Sequence, residues 1–270
     1  MYDLPQTNRL RLAIGLPLRN HRELNQLLRQ IYNPASTNYH HYLTPQEFAE
    51  EFGPTPQDYA AVLNFARTNG FTVTATYPNR TLMDVNGSVA TVEKAFHVKL
   101  QVYQHPTGDR NFFSPDTEPS VDLNVPILHI SGLNNFNLPR PAGIRRKSFS
   151  GFSPAAGSGP NGLLMGSDFR NAYTPGVTFD GAGQVVALFE LDGYYTNDIA
   201  AYESDADLPA TLVTNVLVDG YSGVAEQPDD AEVALDIEMV ISMATNLAEV
   251  VVYEEENTGD TGDIADLLNR

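Results

Sequence analysis

Residues 229–253 read DDAEVALDIEMVISMATNLAEVVVY. The first seventeen predict a long helix, and the closing EVVVY predicts a buried strand. A helix of that length feeding such a strand belongs to an α/β layer, and the sequence upstream repeats the pattern. Gln184–Leu191 (QVVALFEL) is nearly all apolar, as a strand buried on both faces is. Thr196 opens a helix through about Asp205, and Thr211–Val218 (TLVTNVLV) reads as a second strand. Downstream of EVVVY, Ile264–Arg270 begins one more helix. Strand and helix in strict alternation imply a parallel sheet covered on both faces. Three strands make a thin sheet, and the chain stops inside a helix without a stop signal, so this layer reads as unfinished.

The first half has another character. Arg9–Leu18 (RLRLAIGLPL) alternates polar and apolar residues, as a half-buried strand does. His21–Tyr32 carries Leu24, Leu27, Leu28 and Ile31 at helical spacing. Thr44-Pro45-Gln46-Glu47 is a capping box with proline at the first helical position. Thr55-Pro56 opens another helix in the same way, and Gly70 sits where it should stop. Phe71–Tyr77 and Thr81–Val85 read as strands joined by a Pro-Asn turn, Ser88 caps a short helix to Phe96, and His97–Tyr103 is a strand. Helices mixed with antiparallel strands over residues 1–138 predict an α+β sandwich.

Between the halves, Arg140–Gly162 (RPAGIRRKSFSGFSPAAGSGPNG) has no hydrophobic period and is rich in Pro, Gly and Ser. Residues 139–160 therefore read as a linker, with Arg145, Arg146 and Lys147 as its processing segment. Charge divides at the same place. Residues 1–140 hold 11 Lys+Arg and 12 Asp+Glu, whereas residues 141–270 hold 5 and 22 of a chain whose net charge is −18. All six histidines, His21, His40, His41, His97, His105 and His129, fall in the first half.

These totals exclude several classes. An acidic balance disfavours binding to nucleic-acid backbones. The absence of cysteine removes disulfide scaffolds, Cys-based zinc sites and thiol nucleophiles. No apolar run reaches the ~18 residues of a membrane helix, and MYDLPQTNRL has no apolar region of a signal peptide. His40 and His41 are adjacent and point apart, which disfavours a shared metal. EEENTGDTGD (254–263) lacks the order of an EF-hand loop and reads as a solvated acidic loop; no metal site is expected in this chain.

The chemistry lies in the 229–245 helix. Glu232 and Asp236 are spaced i, i+4 in an otherwise apolar run, so they share a face with β-carbons ~5–6 Å apart. Burying two like charges is costly unless they share a proton or find donors. A capping box from Asp229 would explain Glu232 but leaves Asp236, a turn deeper, unexplained. The residues alone leave functional and structural readings evenly balanced. Glu190 stands near the C-terminal end of the QVVALFEL strand, the edge where ligands gather in open parallel sheets, although a lone strand-end acid facing water is the commoner case. With no histidine after position 129, a second half acting alone cannot use a Ser-His-Asp triad, and any base there is a carboxylate.

The chain resembles the sedolisin, or kumamolisin-like, serine-carboxyl peptidases in proenzyme form. NPASTNYHHYLTPQEFAEEFGPT (33–55) and PILHISGL (126–133) look like that family's activation domain. GSDFRNAYTPG, GAGQVVALFELDGYY and above all EVALDIE (232–238) look like its peptidase part. The resemblance implies a ferredoxin-like α+β prodomain at 1–138 and, at 161–270, the N-terminal part of a subtilisin-like parallel α/β domain. On the family's E-x-x-x-D-x-E stretch, Glu232 corresponds to the general base and Asp236 to its partner. Glu190 aligns with a supporting glutamate, although Glu190-Leu191-Asp192-Gly193 departs from the usual E-L-G-G. The family's nucleophilic serine in G-T-S, its oxyanion aspartate and its calcium site lie beyond Arg270, so the chain reads as a fragment, inactive alone. Gly157-Ser158-Gly159 and Ser242 do not replace the serine.

The resemblance implies a secreted, acid-acting endopeptidase or tripeptidyl-peptidase, with peptide substrates, calcium outside this chain, and prodomain–peptidase contact within it. A glutamate works as a base near its own ~4.3 pKa, and an oxyanion aspartate donates only while protonated. The charge asymmetry adds an expectation that acid loosens the prodomain. Two alternatives remain: an inactive pseudo-peptidase or binding module, and a carboxylate-pair glycosidase. Two acids on one helical turn flank a sugar poorly, and the chain has no Trp platform.

Overall fold

Alternation in RLRLAIG builds the first strand of substance. The computed structural model describes residues 1–138, 157–225 and 230–257, which fall into two compact units, 1–138 and 157–257. The segment Arg145–Lys147, the cap residue Asp229 and the helix read at Ile264–Arg270 lie outside the described residues.

The first unit runs β1 (Tyr2–Asp3), β2 (Arg9–Gly15), α1 (His21–Ile31), α2 (Pro45–Glu51), α3 (Pro56–Thr68), β3 (Thr72–Thr76), β4 (Leu82–Ser88), α4 (Val89–Phe96), β5 (Leu100–Gln104), β6 (Asn111–Pro115) and β7 (His129–Ser131). One antiparallel sheet has the order β3-β4-β2-β7, the other β1-β5-β6. Helix starts follow the caps: Thr44, Thr55 and Ser88 each accept from a backbone N–H three residues on. The strand read from His97 begins instead at Leu100, because His97 takes a left-handed conformation (φ 54°) that closes α4. Ile14, Met83, Val62, Phe96 and Leu100 form the core, with the Phe71 and Phe96 rings 5.6 Å apart. Phe71 also lies over Gly87, where a Cβ would come 2.6 Å from its ring.

The second unit runs α5 (Gly166–Tyr173), β8 (Val185–Glu190), α6 (Thr196–Asp205), β9 (Val213–Leu217), α7 (Asp230–Met243) and β10 (Glu249–Glu254). Its sheet is parallel with order β8-β10-β9, so the last strand is central. On one face Val250 and Val252 pack with Val186 and Leu188 beneath Val233, Ile237 and Ile241 of α7.

Two expectations need correction. QVVALFEL is not buried on both faces: among the described residues β8 is a border strand, and Val185 is 56% exposed. Residues 157–160, read as the end of the linker, are folded together with residues 161 and 162. They form a short 3₁₀ turn, and the Ser158 N–H and hydroxyl both donate to Asp168 Oδ2, at 2.9 and 3.0 Å, at the start of α5. No helix among the described residues is long and apolar enough to cross a membrane.

Candidate active site

Parallel strands with period-two burial carry one row of side chains to the same sheet edge. On the α7 face that row is Val186, Leu188, Glu190 in β8 and Val250, Val252, Glu254 in β10, in register. The apolar row thus ends in two adjacent acids, both buried, with Glu190 5% and Glu254 0% exposed.

Helix α7 brings in the acids read from its spacing. Val233, Ile237 and Ile241 recur at i, i+4, i+8 and seat the helix on the sheet. Glu232 and Asp236 each precede one of these anchors. Burial pushes Glu190 up to about 8, and the charges of Asp236, Glu232 and Glu254 push in the same direction. Glu190, Glu232 and Asp236 are therefore brought within electrostatic range of one another. Expectation and structure part on shielding. The apolar run of 229–245 suggests a helix buried on most sides, yet Leu235 and Asp236 are exposed and Glu232 is half-buried. The buried stripe of α7 is narrow because it meets the sheet along a single line of side chains. Partial burial of its carboxyl still moves Asp236 upward.

Sequence reasoning missed other members of the cluster. Burial pushes Glu254 up to about 7, aided by the charge of Asp192. Asp192, itself buried, accepts from the Tyr221 hydroxyl at 3.0 Å and from the Gly193 N–H at 2.7 Å. On the other side of α7, Glu238 is pushed up to about 7 by burial and by Asp198. The usable signal for Glu254 was its place two residues after Val252 in an alternating strand.

Both serines named in the sequence are engaged in hydrogen bonds. Ser242 is 2% exposed, donates to the Glu238 carbonyl at 2.6 Å and lies 2.8 Å from the Tyr202 hydroxyl. Ser158 is occupied at α5. Arg170 is the sole Lys or Arg among this unit's described residues, and it donates to the carbonyls of Met243 and Phe179. Among the described residues no group of three or more His, Asp or Glu is placed to hold a metal ion. Among the described residues the chemistry available is proton exchange among carboxyls, without an imidazole or a free cation of this unit to hold them ionised.

Residues 2–136 match the family model described as Pro-kumamolisin, activation domain. The chain is 28% identical over 264 residues to kumamolisin of Bacillus sp. (strain MN-32), covering 94% of this chain and 47% of that protein. It is 24% identical over 264 residues to xanthomonalisin of Xanthomonas sp. (strain T-22), covering 93% and 31%. It is also 24% identical over 259 residues to sedolisin of Pseudomonas sp. (strain 101), covering 93% and 44%. The chain thus spans about half the length, or less, of the curated relatives it matches.

Proposed function

Since the chain belongs to the pro-kumamolisin activation-domain family, we propose that it is the zymogen portion of an acid-acting, secreted serine-carboxyl peptidase that hydrolyses peptide bonds. Residues 1–138 are the activation domain, 139–156 the processing region with Arg145, Arg146 and Lys147, and 157–270 the first part of the peptidase domain. Supporting a ferredoxin-like first unit is its β-α-β-β-α-β path with sheet order β3-β4-β2-β7. The parallel β8-β10-β9 layer beneath α7 fits a subtilisin-like second one.

The observation that carries the reading is the meeting of Glu190, Glu232 and Asp236 at the C-terminal edge of the parallel sheet. Glu232 acts as general base toward a serine supplied from outside these 270 residues. Asp236 shares its proton, and Glu190 supports both. Exposure of Asp236 leaves that side of α7 open to the incoming serine and substrate. Acid conditions follow, because carboxyl bases work best near their own pKa. Calcium, implied by the resemblance at a site outside this chain, enters no step here, since the described residues offer it no donor set.

The test is turnover of denatured haemoglobin at pH 4. Residues 1–270 alone are expected to be inert. The longer protein that includes the serine is expected to cleave, and Glu232→Gln in it should lose about 10²–10⁴-fold in kcat. Turnover by residues 1–270, or full activity in the Glu232→Gln protein, would overturn the assignment. A continuation without the serine would favour the pseudo-peptidase reading.

A further inference from the structure

Glu254 ends the central strand of the second unit, and its backbone is fixed from both sides. The Val218 N–H donates to the Glu254 carbonyl at 2.9 Å, and the Glu255 N–H donates to the Glu190 carbonyl at 3.0 Å. In-register parallel pairing puts the Glu254 and Glu190 side chains on one face, on strands about 4.8 Å apart. The Glu254 carboxyl is fully buried, and neither of its oxygens has a hydrogen-bond partner among the described residues. One of them would lie 3.3 Å from a Cβ at Gly223.

Among the described residues, the titratable groups around it are acids and phenols. From β8 and the turn beyond it come Glu190, Asp192 and Tyr194; from the loop after β9 comes Tyr221; Glu232 and Asp236 of α7 act on Glu190. No Lys, Arg or His among the described residues of this unit is free to neutralise the cluster, Arg170 being engaged elsewhere. An isolated buried carboxylate is among the costliest states a side chain can take, so the pair retains a proton.

We propose that Glu254 is a positioning residue that shares one proton with Glu190 and so extends the carboxyl row of α7 into the sheet. Below both midpoints each carboxyl keeps its own proton; between them the second proton goes to solvent, and one carboxyl donates its O–H while the other accepts. Held in this way, Glu190 keeps a fixed orientation toward Glu232 and Asp236 and adds no second negative charge beside them. Both carboxyls favour the protonated form, Glu190 through burial and the charges of Asp236, Glu232 and Glu254, and Glu254 through burial and the charge of Asp192. What the proton does in catalysis rests on the peptidase reading; the pairing itself does not.

The test is carboxyl ¹³C NMR titration of residues 1–270 with labelled glutamate, assigned through Glu190→Gln and Glu254→Gln. In the unsubstituted chain both residues should titrate well above the usual ~4.3 of a glutamate. Glu254→Gln should lower the Glu190 midpoint by at least one unit, about tenfold in proton affinity. Glu190→Gln should lower that of Glu254 reciprocally, so either variant suffices if the other does not fold. A Glu254 midpoint near its ordinary value, or a Glu190 midpoint unmoved by the substitution, would overturn the pairing. Neither result touches the Glu232→Gln turnover experiment, so failure of the two readings is distinguishable.

Discussion

Glu190 shows how a single residue ties stability to chemistry. Its carboxyl is favoured in the protonated form by burial and by three neighbouring acids, so folding raises its affinity for a proton. Below the unfolded pKa of ~4.3 this has no effect on stability; between there and about 8 the unfolded chain loses a proton that the folded chain keeps, and stability falls as pH rises. Glu190→Gln, which does not titrate, should therefore stabilise the second unit at pH 8 by at least about 1 kcal/mol and change it little at pH 4. Urea unfolding of both proteins at the two pH values checks this; a gain of equal size at both would point to packing instead. The i, i+4 spacing was enough to single out Glu232 and Asp236, because helix geometry is local. Their unequal exposure was not legible, since it depends on where α7 touches the sheet. Glu254 was missed for a related reason: its role comes from register with Glu190, sixty-odd positions away in sequence, and register is set by strand order.

Elements with local signals were legible. Thr44, Thr55 and Ser88 start α2, α3 and α4 as their side chains dictate, and α7 and β10 stand where the 229–253 stretch puts them. Strands β1, β6 and β7, of two to five residues, are too short for a period to show and form only because a longer partner offers its edge. Helix α5 gave no cap signal, since a Met stands at the cap position and its first N–H groups find side-chain acceptors: Met165 N–H donates to Asp168 at 2.9 Å and Gly166 N–H to the Tyr202 hydroxyl at 3.0 Å. It starts at Gly166 for a packing reason: a Cβ there would stand 1.9 Å from the Ser242 Cβ of α7. Gly166→Ala should force α5 off α7 and destabilise the second unit by about 1–3 kcal/mol. A melting temperature within a degree of the unsubstituted chain would show that the two helices can part without loss.

Across the whole molecule, the two units carry buried acids of opposite sense. In the first, burial pushes Glu93 up, but the Lys99 ammonium at 2.8 Å, the Leu100 N–H and the Gln6 amide outweigh it and leave its carboxyl below the usual range. That stability is present above the unfolded pKa and is lost as pH falls through the folded one. In the second, Glu190, Glu238 and Glu254 are all raised, and their stability is lost as pH rises from ~4.3 toward 8. Asp168 and Asp180 are lowered by backbone N–H groups and pull the other way, but water screens them. Acid therefore favours the second unit and weakens the first, the combination that the proposed acid-acting zymogen needs. The most direct measurement is scanning calorimetry of residues 1–270 from pH 4 to pH 8, with each transition assigned to its unit by NMR. Acidification is expected to raise the midpoint of the second unit and lower that of the first; midpoints that move together, or a second unit that is most stable at pH 8, would rule this division out.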